Sequence, residues 1–76
     1  MLDRYQREIP READRVYLDS FIDETAAADF LCQSVRTLQK WRVTGFGPDF
    51  FKPGRSVRYR RRELIVWAEA RRRKHT

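Results

Sequence analysis

The sequence predicts a mainly helical domain carrying one small β-hairpin, and three observations lead there. Residues 23–31 and 34–43 place apolar side chains at helical spacing behind good capping residues. A Pro53-Gly54 pair separates two short stretches in which apolar and charged residues alternate. A further helical pattern then starts near Arg61 or Arg62. The chain has 76 residues, enough for one domain. A core of that size contributes only about 3–5 kcal/mol of net stability, which favours a simple compact architecture.

Each element follows from its residues. Asp23 is a good N-cap, and Glu24 and Thr25 follow in the first turn, where acid is favoured. On this helix Ala27, Ala28 and Leu31 share one face with Phe30 at its edge, and the alanines permit close approach by a second helix. Cys32-Gln33 interrupts the pattern. Ser34 then caps a helix running to about Val43, and Gly45 is placed to end it in the left-handed conformation. Val35, Leu38 and Trp41 form the apolar stripe of this second helix. Beyond Gly47-Pro48, the pair Pro53-Gly54 suits the centre of a type II turn. The flanking strands would direct Phe51, Val57 and Tyr59 inward, with Lys52 and Arg58 outward. On the last helix Leu64, Trp67 and Ala68 form the core stripe, with the stem of Arg71 alongside. Ile65 and Val66 fall off that stripe and are candidates for self-association. Residues 1–20 read as an N-terminal arm, partly ordered or contacting a neighbour, in which Pro10 could open a second helical piece. Residues 21–70 form the domain, and residues 71–76 a basic tail.

Composition narrows the function. No apolar run approaches the roughly 20 residues of a membrane span, and the first residues alternate charges where a signal peptide would have an apolar core. With Cys32 as its only cysteine the chain has no intrachain disulfide, and the reducing cytoplasm is its natural compartment. Cys32 and His75 do not make a four-ligand zinc site. There is no Walker loop and no nucleophile beside a histidine, so neither catalysis nor a cofactor is expected. The formal net charge is +6, and 14 of the 17 cations are arginine, the residue favoured for gripping phosphate. The charge is also divided. Residues 1–31 hold four arginines against eight acids, and residues 32–76 hold 13 cations against three acids. The second part is built to meet an anion.

The second helix could be an ordinary amphipathic helix with a solvated charged face, but two features favour DNA as the anion. Its outer face carries Arg36 and Lys40 flanked by Thr37 and Gln39, and no acid lies between Gln33 and Thr44. These side chains are also of the types that read base edges: arginine for guanine, glutamine for adenine, threonine for the thymine methyl. Two short helices, a tight turn and a basic second face describe a helix-turn-helix. The hairpin rim of Lys52, Arg55, Arg58 and Arg60 suits a wing on the backbone or in the minor groove. Three arginines, Arg60, Arg61 and Arg62, crowd the start of the last helix against its macrodipole, an unfavourable placement that bound phosphate would relieve.

These residues together resemble a known family. The stretch FIDETAAADFLCQSVRTLQKWRVTGFGPDFFKPGRSVRYRRRELIVWAEA, about residues 21–70, looks like the compact winged helix-turn-helix domain of MerR-type regulators, phage AlpA-like activators and excisionases. Its most specific pieces are Ser34-Val35-Arg36-Thr37-Leu38 leading to Trp41-Arg42, then Gly45-x-Gly47-Pro48, Arg58-Tyr59-Arg60 and Leu64-x-x-Trp67. The resemblance implies that Ser34, Arg36, Thr37, Gln39 and Lys40 face the major groove. It implies a wing, with Lys52, Arg55, Ser56 and Arg58, at the adjacent minor groove or its phosphates. Arg42, Arg60, Arg61 and Arg62 are expected to add phosphate contacts. The chain departs from the family at Cys32-Gln33, where a glycine and an apolar residue are usual, and at Pro53 and Ser56 of the wing.

Because no effector domain or long dimerisation helix follows, the chain is most like an excisionase, a recombination directionality factor of mobile elements such as prophages. The expected partners are double-stranded DNA, further copies bound head-to-tail along it, and an integrase or recombinase. The expected location is the cytoplasmic nucleoid, and no metal or other cofactor is involved. The alternatives are an AlpA-like transcriptional regulator acting at a promoter, and a basic adaptor for RNA or an acidic protein.

Overall fold

The computed structural model describes residues 12–74. The expectations for Pro10 and the preceding residues, and for His75, lie outside the described residues. In chain order the elements are α1 (Glu12–Asp19), β1 (Phe21–Asp23), α2 (Glu24–Phe30), α3 (Val35–Thr44), β2 (Arg58–Arg60) and α4 (Arg61–Glu69). The molecule is mainly helical, with a small antiparallel sheet and the wing expected after a helix-turn-helix.

Local capping sets the two central helices. The Asp23 carboxylate accepts the Ala26 amide at 2.8 Å and opens α2. The Ser34 hydroxyl accepts the Thr37 amide at 3.0 Å and opens α3. Gly45, at φ 82°, donates its amide to the Trp41 carbonyl at 2.9 Å and closes it. Between the helices Cys32 takes φ 57°, the only positive φ of a non-glycine residue among those described. Cysteine therefore adopts the left-handed turn for which glycine is the unstrained choice.

β2 pairs antiparallel with β1 in the register Phe21 to Arg60, Ile22 to Tyr59 and Asp23 to Arg58. The same strand reaches the other side of the sheet through Phe51, whose amide and carbonyl exchange 2.7 Å hydrogen bonds with Arg58. The strand β1 was not expected. It exists because Ile22 pairs with Tyr59 and drops into the core, with the two exposed side chains of β1 on the opposite face.

This register corrects the orientation read for Phe51. Directly paired residues share a face, so Phe51 lies on the side of Arg58, away from Val57 and Tyr59. Its ring meets Phe21 edge-on at 4.9 Å, and the Arg60 guanidinium lies 4.9 Å from Phe21 and 5.1 Å from Phe51. The turn is also shifted by one residue. The Ser56 amide bonds the Pro53 carbonyl at 3.3 Å, which makes Gly54 the first central residue, at φ 65°. Positive φ at that position alone suits a type II′ hairpin turn and not type II.

Ile22, Ala27, Ala28, Leu38, Tyr59 and Leu64 form the core, with Leu31, Val35, Trp41 and Val57 packed around it. Leu38 and Leu64 are completely buried, so truncating either to alanine would cost about 2–5 kcal/mol. A second cluster lies beyond the end of α3. Trp41, Phe46 and Trp67 meet with ring centroids 5.1–5.6 Å apart, and the Arg71 guanidinium covers Trp67 at 4.2 Å. Ala68, expected in the core stripe, is exposed; Trp67 and the stem of Arg71 occupy that side of α4.

Candidate nucleic-acid interface

The fold arranges the basic side chains into two populations. One is engaged within the molecule. Arg42, on α3, donates to the Tyr59 hydroxyl and to Glu24 Oε1, each at 2.9 Å. Burial disfavours its charge, but the hydrogen bonds to Tyr59 and Glu24 outweigh that penalty and raise its pKa above the usual arginine value. A phosphate contact from Arg42 would have to compete with these internal bonds. Arg42 ties α3 to β2 and to the start of α2, and only 18% of its side chain is exposed.

The three arginines at the start of α4 also have partners within the molecule. Arg60 pairs with Glu63 at 3.3 Å and lies over the rings of Phe21 and Phe51. Arg61 bonds the Ser20 hydroxyl and lies 4.1 Å from the Tyr17 ring. Arg62 meets Asp19 at 2.7 Å. The crowding against the macrodipole is thus offset by partners from α1, the following segment and the first turn of α4 itself. These contacts dock α1, the described part of the arm, against α4. The Asp19–Arg62 pair is about half exposed, so its net contribution is small, of order 0.2–1 kcal/mol.

The second population has no partner. Arg36 and Lys40 on the outer face of α3, Lys52 and Arg55 on the wing, and Arg73 and Lys74 in the tail make no hydrogen bond, ion pair or ring contact within the described residues. All six are exposed. Arg58 is half-buried and donates to the Val57 carbonyl at 2.9 Å. Ser56 is exposed beside it at the turn. Exposed unpaired cations on one helix face and on the adjacent wing can bind polyphosphate without first breaking an internal ion pair.

The remaining residues of the outer face are partly committed. Ser34 and Thr37 share a 2.9 Å hydroxyl contact while Ser34 caps the helix, so both help to start α3. Gln39 is exposed, and its amide nitrogen lies 3.3 Å from Glu24 Oε2. Ile65 and Val66 are exposed on α4, Val66 by 63%. Among the described residues, no three histidine, cysteine or acidic side chains converge as a metal site. No described helix is long and apolar enough to cross a membrane.

Sequence reasoning missed Glu24 as more than a first-turn acid, and missed Asp19, Ser20 and Tyr17 as arginine partners. The periodicity of each segment contains no sign of these contacts, which join residues 15–44 positions apart. No known family model matches the chain, and no curated protein matches its sequence.

Proposed function

We propose that this protein binds double-stranded DNA, with the outer face of α3 in the major groove and the turn after Phe51 on the adjacent backbone or minor groove. One observation carries the reading. The arginines of α2's neighbours, β2 and the start of α4 are engaged internally, whereas the cations of α3's outer face and of the wing tip are exposed and unpaired. The unpaired cations can meet phosphate without first breaking an internal contact.

A ten-residue helix reads only a few base pairs, too little information against a genome of competing sites. The protein therefore acts as several copies on adjacent sites, in the manner of an excisionase that shapes DNA for an integrase. The exposed Ile65 and Val66 of α4 are available for contact between neighbours. Such head-to-tail association extends along the DNA without closing. Footprinting distinguishes this role from promoter regulation: protection of an attachment site supports excision, and protection of a promoter alone supports the regulator.

Fluorescence anisotropy with duplex, single-stranded and RNA probes tests the binding mode. The duplex is expected to bind most tightly, and Arg36→Ala and Lys40→Ala each to weaken specific binding by roughly fivefold or more, the scale of one base or phosphate contact. Equal affinity for the three probes, or unchanged binding in both variants, contradicts the reading and favours a basic adaptor.

A further inference from the structure

Val43 stands in the last turn of α3 and is 87% exposed, more than any other large apolar residue among those described. At about 3.6 residues per turn it lies within roughly 20° of Arg36 and about 60° of Lys40 around the helix axis. From Leu38, the buried centre of the apolar stripe, it is turned by about 140°. Local preference does not explain a valine there. Its branched Cβ lowers helix propensity, and the last turn of a helix favours a cation, which would also add affinity for phosphate. Scattered exposed apolar side chains are ordinary on a protein surface. This one stands in line with the unpaired cations of the proposed reading face, where a helix seated in the major groove would bury it.

We infer that Val43 is a specificity-determining residue that packs on the 5-methyl group of a thymine. This rests on the placement of α3 in the major groove. The base edges in that groove differ in donors and acceptors, and thymine alone adds an apolar group. A valine side chain has no hydrogen-bonding atom. Against cytosine it would cover the N4 donor without pairing it, whereas against thymine it meets a methyl. Val43 lies about two turns beyond Arg36, roughly 10 Å along the helix axis, while successive base pairs rise by about 3.4 Å. The thymine is therefore a different base pair from the one facing Arg36. The contact can be deleted from either side. Deoxyuridine in place of thymine removes only the methyl and keeps base pairing, and Val43→Ala removes the valine methyls that meet it. If the two groups touch, the two deletions are not additive.

The test is selection of duplexes from a randomised library with wild type, Val43→Ala and Arg36→Ala. Binding to the selected duplex is then measured with each thymine replaced in turn by deoxyuridine. At one thymine wild type is expected to lose roughly fourfold in affinity, the transfer value of one methyl group. At the same thymine Val43→Ala, an exposed change that leaves the fold intact, is expected to lose less than about twofold. Its selected profile is expected to flatten at that position. With cytosine placed there, 5-methylation is expected to tighten wild-type binding and to leave Val43→Ala unchanged. The inference is overturned if no such thymine exists, or if every deoxyuridine loss is the same in Val43→Ala. It is also overturned if Val43→Ala keeps the selected profile and instead loses cooperativity between adjacent sites, which would make Val43 a protein contact. Arg36→Ala separates this failure from failure of the underlying reading. If Arg36→Ala changes the profile and Val43→Ala does not, α3 reads DNA without Val43; if neither changes profile or affinity, α3 does not read DNA.

Discussion

Single residues at turns carry consequences out of proportion to their size. Cys32 occupies φ 57° without being glycine, a conformation that costs an L-residue about 1–2 kcal/mol. The side chain is exposed and forms no disulfide. Cys32→Gly should raise the urea midpoint with an unchanged slope, a gain of about 1 kcal/mol after allowing for glycine's greater freedom in the unfolded chain. Gly47 is the opposite case. Its φ is 94°, and an added Cβ would stand 2.9 Å from both Cβ and Cε3 of Trp41. Gly47→Ala should lower stability by about 2 kcal/mol or more, since backbone strain and a clash within the Trp41–Phe46–Trp67 cluster act together. Thermal unfolding followed by tryptophan fluorescence would show both the lower midpoint and the disturbed cluster. The sequence marks both turns as turns. It does not reveal that cysteine takes the conformation usual for glycine, because nothing in a cysteine's neighbours distinguishes that conformation from any other.

At the scale of elements, legibility follows the range of the interactions that form them. α3 is readable in full, because its cap at Ser34, its stripe of Val35, Leu38 and Trp41 and its stop at Gly45 all lie within about three turns of chain. β1 is not readable, because three residues carry no period and its pairing partner lies in β2, across the whole helix-turn-helix. The orientation of Phe51 fails for a related reason: alternation along a strand defines two faces, but only the partner register says which is inward. The partners of Arg61 and Arg62 are hidden while their helix is considered alone. Asp19, Ser20 and Tyr17 come from α1 and the residue after it, and satisfy them through packing. On the proposed reading the wing makes a separable contribution to binding. Arg55 is exposed and unpaired at its tip, so Arg55→Ala should reduce the slope of log affinity against log salt by about one while leaving base preference intact. An unchanged slope would place that side chain away from phosphate.

For the whole molecule, the central result is a sorting of charge. The formal charge of +6 suggests only an anionic partner, and its division into an acidic first part and a basic second part points to one end of the chain. Folding sorts it further. Acids of the first part, Asp19 and Glu24, engage arginines of the second, and the cations left over belong to α3, the wing and the tail. The acidic segment therefore acts within the molecule. On the proposed reading this division also separates base reading, assigned to α3, from tethering, assigned to the exposed Arg73 and Lys74 of the tail. The most direct test is a titration of the isotopically labelled protein with duplex DNA, followed by amide chemical-shift changes in two-dimensional NMR. The largest shifts should fall in residues 34–40 and 52–58, with α1 and the outer face of α4 nearly unmoved at a single site. Shifts confined to α1, α4 or residues 71–74, with residues 34–40 unmoved, would contradict the account.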